Sequence, residues 1–158
     1  MIFGTVGTHD SDFGRFINAL DTIASATDER VVIQTGLSTT LPVHADHFEF
    51  KPRDEILELQ RDARVIVCHA GIGSVIDAMK AGKPLIVVPR LKRFGEHNSD
   101  HQLDIARAVE RRGWGKAVTD IADLAPLCEQ PPAPKSDYSP DKSRLIRCVR
   151  ETVLGQDS

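Results

Sequence analysis

Two short runs, Val65-Ile66-Val67-Cys68 and Leu85-Ile86-Val87-Val88, contain no polar residue apart from a terminal thiol. A strand with one wet face alternates apolar and polar side chains, whereas a strand covered on both faces stays apolar throughout. Both runs therefore read as central strands of a sheet that carries helices on each side. Between them lies a helical pattern from about Ser74 to Ala81, ended by Gly82. Strand, helix and strand in that order make a parallel pair joined by a crossover.

The same alternation runs along most of the chain. Residues 2–6 read as a strand closed by Gly7. Residues 12–26 place Phe13, Phe16, Ile17, Leu20, Ile23 and Ala24 at helical spacing. Strands follow at 31–34 and 47–50, with a loop over 37–46. A helix over 53–62 is expected to turn Ile56, Leu57 and Leu59 inward. A helix over 98–112, a strand over 116–118 and a short helix over 120–127 complete the pattern. The fold class is α/β, a Rossmann-like parallel sheet with helices on both faces. Residues 1–128 form that domain, and residues 129–138, which include Pro131, Pro132 and Pro134, form a linker. Residues 139–158 hold a final helix with Leu145, Ile146, Val149, Val153 and Leu154 on one stripe. That helix packs on its own domain or crosses to a partner chain.

Ligands of such sheets bind beyond the carboxyl ends of the strands. Three polar loops fall there: Gly7 to Asp10, His69 to Ser74, and Pro89 to Gln102. The second, His69-Ala70-Gly71-Ile72-Gly73-Ser74, passes from a strand straight into a helix. Backbone N–H groups and the helix dipole at such a turn suit a phosphate. Asp77, one helical turn on, is placed to accept hydrogen bonds from ribose hydroxyls. The third loop carries Glu96, His97, Asn98, Asp100, His101 and Gln102, groups suited to sugar hydroxyls or to capping the helix that follows. The combination reads as a nucleotide-sugar site. His9, after the first-strand glycine, faces the expected cleft. An imidazole titrates near neutral pH, so His9 is the candidate general base, with helix capping or charge neutralisation as its other roles. The basic residues Arg90, Lys92 and Arg93 read as a solvated loop or as a surface for an anionic membrane or acceptor phosphate. Arg90 and Lys92 would also suit a glucuronate donor.

Composition closes off several alternatives. The net charge of −3 gives no general attraction to nucleic acid. No apolar run reaches the roughly 20 residues that span a bilayer. The first seven residues lack a basic region and a long apolar core, so no signal peptide is expected. Three cysteines without close spacing, Cys68, Cys128 and Cys148, suggest neither a disulfide framework nor a zinc ribbon. They fit a reducing cytoplasm. A dinucleotide G-x-G-x-x-G after the first strand is missing, which speaks against an epimerase-like enzyme.

The strings Val6-Gly7-Thr8-His9, His69 to Asp77, Gly82-Lys83-Pro84, Pro89-Arg90 and Gly95 to Gln102 together resemble the C-terminal, donor-binding half of GT-B glycosyltransferases of family 28. The likeness is greatest to the small catalytic subunits of two-component UDP-sugar transferases of the dolichol pathway and of bacterial exopolysaccharide and capsule synthesis. It spans most of residues 3–102. The resemblance implies that Gly7 and Thr8 face the donor diphosphate or the acceptor. It implies that Gly71, Ile72, Gly73 and Ser74 receive the diphosphate, with His69 beside them. Asp77 stands where the family usually has a glutamate on the ribose. Asp100, His101 and Gln102 stand where the family places sugar-recognising residues, with Glu96 close by. The stretch from Phe50 to Ile56 would border the uracil.

The implied activity is an inverting transfer from a UDP-sugar to a polyprenyl- or other lipid-linked acceptor, with no cofactor and no metal. A helix dipole and backbone donors would take the place of a divalent cation. A full GT-B enzyme carries an N-terminal acceptor domain, so the resemblance implies a membrane-anchoring partner subunit that supplies this half. The chain would be cytoplasmic and recruited to the membrane face through that partner. An unpartnered chain is expected to self-associate through the same surface. The alternative is a non-catalytic subunit that stabilises a glycosyltransferase partner.

Overall fold

A computed structural model describes residues 1–134 together with 147, 150 and 151. Apart from those three residues, the helix expected within 139–158 lies outside the described residues, as does the second half of the linker. Six strands form one parallel sheet: β1 (Ile2–Thr5), β2 (Val31–Gln34), β3 (Asp46–Phe48), β4 (Val65–His69), β5 (Leu85–Val88) and β6 (Lys116–Ala117). Their spatial order is β3-β2-β1-β4-β5-β6. The chain thus builds outward from β1 in one direction, then returns and builds outward in the other. Within residues 1–134, five α-helices connect or cover the strands: α1 (Gly14–Ser25), α2 (Arg53–Asp62), α3 (Ile72–Lys80), α4 (His101–Arg111) and α5 (Leu124–Glu129). Among the described residues no helix is long and apolar enough to cross a membrane.

The two-residue period of a strand divides the core. Val65 and Val67 point to one face, where Phe16, Ile17 and Leu20 of α1 and Leu124 of α5 pack on them. Ile66 and Cys68 point to the other, against Val75 and Ala78 of α3 and Ile105, Ala106 and Val109 of α4. All five residues of β4 are buried, which explains its unbroken apolar run. Burial pushes the Cys68 thiol up to about 12, so it is an inert core group.

Several boundaries differ from expectation for physical reasons. Helix α3 begins two residues earlier, at Ile72, because Gly71 already adopts the extended N-cap conformation (φ −81°, ψ 137°). Helix α4 begins later, at His101, because residues 98–100 bend back on the preceding loop. Residues 37–45 form the expected loop, and Asp46 already belongs to β3. The Asp21 carboxylate accepts hydrogen bonds from the N–H groups of Val43, His44 and Ala45 at 3.0, 2.7 and 2.9 Å. On α2, Ile56 and Leu59 pack on the core, but Leu57 borders the cleft described below.

The largest departure is Arg90. The expected solvated cation has no solvent exposure at all. Its guanidinium donates through Nη2 to the Val6 carbonyl at 3.0 Å and through Nη1 to the Ser11 carbonyl at 2.9 Å. Weaker contacts at 3.4 Å reach the carbonyls of Asp12 and Glu96. The group lies over the Phe13 ring, 4.7 Å from its centroid. Its Nε, also buried, meets no acceptor among the described residues. Arg90 therefore ties the loop after β5 to the loop after β1, which no connection along the chain does. Arg90→Ala should leave these carbonyls buried without a donor. The expected cost is about 3 kcal/mol of unfolding free energy, read from the urea midpoint at unchanged slope.

Candidate functional site

The strand order reverses between β1 and β4, so the loops that follow these two strands part to opposite faces and leave a crevice. A cleft of about 500 Å³ occupies that place. Its first wall is Gly7, Thr8 and His9 from the loop after β1. Its second is His69, Gly71, Gly73, Ser74 and Asp77 from the turn into α3. Phe50, Lys51, Arg53, Ile56, Leu57 and Gln60 form the third, on and before α2. Thr5, Gln34 and Gln102 complete the lining.

The α3 end of the cleft has the makings of an anion seat. The first amides of any helix lack intrahelical acceptors. Among the described residues no side chain caps those of α3. Gly73 is exposed, and a methyl group built on it would meet no atom within 4 Å. The amides after Gly71 and the Ser74 hydroxyl thus border open space at the positive end of a helix dipole.

His69 fills the centre of this wall. Gly7 lies at φ +74°, and a Cβ there would overlap the imidazole at Nε2; a Cβ on Gly71 would overlap it at Cε1. Both glycines are accounted for by this ring. Its Nε2 lies 2.9 Å from Ser74 Oγ and its Nδ1 lies 3.2 Å from Gln102 Nε2. Burial, with the Arg90 charge nearby, pulls the ring down to about 4, so it is neutral at physiological pH.

Nine of the thirteen expected site residues line this cleft: Gly7, Thr8, His9, His69, Gly71, Gly73, Ser74, Asp77 and Gln102. Their roles differ in part from expectation. The Asp77 carboxylate is already held by Arg53, with contacts of 3.0 and 2.8 Å, although its remaining lone pairs still face the rim. The ring of His9 accepts a hydrogen bond at Nδ1 from the Ser11 amide at 3.0 Å. A neutral ring so engaged carries its proton on Nε2 and keeps no free lone pair. In that state His9 presents an N–H to the cleft, while its Nδ1 lone pair is held by the Ser11 amide. It stacks on His97 with ring centroids 4.9 Å apart. The Gln102 side chain is buried, and its Oε1 accepts from the Arg90 amide at 3.1 Å.

The side chains of the other four expected residues do not line the cleft. Glu96 is turned inward: its carboxylate holds Arg15 at 2.8 and 2.9 Å and accepts from the Leu91 amide at 2.9 Å. Asp100 accepts from the Lys92 amide at 3.0 Å and so closes its own loop. His101 is an exposed first residue of α4, and the Ile72 side chain packs toward the core. Conversely, Thr5, Gln34, Leu57 and Gln60 line the cleft unannounced. Thr5 and Gln34 each end an apolar strand with a polar residue, a signal that was present in the sequence. Gln60 gives no such signal, because only packing buries it.

Residues 1–138 match the glycosyltransferase family 28 C-terminal domain. The UDP-N-acetylglucosamine transferase subunit ALG13 of Homo sapiens is 30% identical over 121 residues, which is 71% of this chain and 10% of that protein. The chain thus spans about a tenth of that relative's length. Among solved structures, the calicheamicin glycosyltransferase CalG4 superposes with a TM-score of 0.62 at 18% identity, over 99% of this chain and 39% of that one. The solution structure of an ALG13 gives 0.61 at 17% identity, over 92% and 94%. At these identities the two structures show a shared fold.

The depressed His69 sets a pH dependence of stability. The unfolded ring takes up a proton below about pH 6.5, while the folded one resists until about 4. Stability is therefore complete above that window and falls as the pH drops through it. Between about pH 7.5 and 5 the ring should contribute a loss of about 2 kcal/mol. Urea unfolding at both values should show this loss, and His69→Gln should remove that share of it.

Proposed function

The chain belongs to the glycosyltransferase family 28 C-terminal domain family, and on that premise we propose that its cleft binds a UDP-sugar and that the chain is the donor-binding part of an inverting glycosyltransferase. The observation that carries this reading is the uncapped start of α3, open to a cleft at the topological switch point. A diphosphate seated there would meet the amides after Gly71 and the Ser74 hydroxyl. The ribose would then lie toward Asp77, and the base toward Phe50, Ile56 and Leu57.

The proposed reaction is a single displacement. An acceptor hydroxyl oxygen attacks the anomeric carbon, the bond from that carbon to the distal phosphate oxygen breaks, and its electron pair leaves on UDP. The α3 terminus would offset the charge that grows on the diphosphate, in the manner of an oxyanion hole and without a metal. His9 and His69 both carry N–H on Nε2 in the neutral state. That of His69 is taken up by Ser74, so His9 is the ring that suits the leaving group, and the proton of the attacking hydroxyl would pass to a base on the acceptor side. We place that side on a membrane-anchoring partner that presents a lipid-linked acceptor at the cytoplasmic face. The word subunit in the names of the ALG13 relatives supports the existence of such a partner chain, and no more than that. The pairing of Asp77 with Arg53 favours a second reading, a non-catalytic stabilising subunit. Turnover of a labelled UDP-sugar by the chain with its partner separates the two.

Calorimetric titration with UDP and UDP-sugars, with magnesium or with a chelator, is the direct test. Saturable binding with equal affinity under both conditions is expected. Gly73→Leu should fold normally, since its side chain enters open space, yet weaken UDP on the order of 100-fold, about 2.7 kcal/mol. Unchanged affinity in that variant would remove the diphosphate assignment.

A further inference from the structure

We propose that Gln102 is a positioning residue: it holds His69 in the Nε2–H tautomer, so that Ser74 accepts a hydrogen bond from His69 and keeps its own proton for the diphosphate. This rests on the donor-site reading above and gives Gln102 a role other than contact with the sugar.

The assignment starts at the backbone. The Arg90 N–H can only donate, so the atom that faces it at 3.1 Å is the Gln102 carbonyl oxygen. The amide orientation is thereby set, and the end that faces His69 Nδ1 at 3.2 Å is the NH₂ group, which can only donate. Nδ1 must then hold the lone pair, and the single proton of the neutral ring sits on Nε2. That proton points to Ser74 Oγ at 2.9 Å, so the hydroxyl oxygen accepts. A hydroxyl that accepts from one side retains its own O–H to donate. Ser74 lies on the cleft wall at the third residue of α3, where the uncapped amides are.

The opposite tautomer is excluded by the same chain of contacts. With the proton on Nδ1, the Gln102 amide would have to flip, and its NH₂ would then face the Arg90 N–H, donor against donor in a buried place. Ser74 would turn its proton back to His69 and present only lone pairs to an anion. The titratable and charged groups that bear on the ring are Arg90, His9 and His97, and positive charge on any of them disfavours a second proton on it.

Gln102→Glu tests this with almost no change of shape. The carboxylate still accepts from the Arg90 amide, but its other oxygen requires a proton on Nδ1. The six histidines of the chain permit a ¹⁵N long-range proton correlation experiment, with His69 assigned by its absence in His69→Gln. The wild-type ring should be the Nε2–H tautomer from about pH 6 to 8. In Q102E at about pH 8 the ring should be Nδ1–H, with UDP affinity about tenfold below wild type. As the pH falls the Q102E ring takes its second proton, Nε2–H returns, and the ratio to wild type should recover. That ratio cancels the titration of UDP itself. Ser74→Ala should lose about tenfold at every pH while the ring keeps the wild-type tautomer. A wild-type Nδ1–H ring overturns the proposal, as does a Q102E affinity that is unchanged or lowered equally at all pH values. Should Q102E not fold, the wild-type tautomer and the Ser74→Ala affinity decide by the same criteria. A wild-type chain that binds no UDP overturns the donor-site reading and the ligand end of this proposal, while the tautomer measurement still judges the contacts among Arg90, Gln102 and His69.

Discussion

A guanidinium without any contact with water is the constraint on which the site depends. Arg90 satisfies backbone carbonyls of the loop after β1 with its side chain and orients Gln102 with its own amide. One residue thus fixes both walls: the loop that carries Gly7 and His9, and the histidine on the turn into α3. Desolvating such a charge is costly, and the carbonyl dipoles and the nearby Glu96 carboxylate offset that cost only because the geometry is closed around it. Its charge also helps to keep His69 neutral. The cleft wall is thereby built from neutral donors, with the positive charge one layer behind.

Glycine at 7 and 71 has a related cause. A phosphate-binding turn is usually explained by close approach of a ligand to bare backbone. Here the approaching group is part of the protein, because the His69 ring occupies the space of both missing side chains. Gly73 differs, since it faces open cleft and is the position at which the ligand explanation applies. Two glycines of one turn therefore serve separate ends, one for internal packing and one for access. The sheet explains why this happens at β4: its last residue, His69, pairs in register with Val88, so an imidazole at the strand end sits directly beside the start of the β5 loop that carries Arg90.

The strand and helix order was legible in the sequence because it rests on local periodicity. The apolar runs at 65–68 and 85–88, the helical spacing of Phe13 to Ala24 and the strand-to-helix passage at Gly71 each depend on residues close together in the chain. They determine a parallel sheet with helices on both faces and a glycine-bearing turn that leads from a strand end straight into a helix. The fate of the polar residues from Arg90 to Gln102 was not legible. Arg90, Glu96 and Gln102 are buried while Lys92, Arg93 and Asp100 are exposed, within one polar stretch with no pattern to divide them. Tertiary structure decided that division. The partners involved, Val6 and Ser11 for Arg90 and Arg15 for Glu96, lie about eighty residues away, and a loop side chain turns inward only when a distant segment supplies the acceptor or charge that makes its burial favourable.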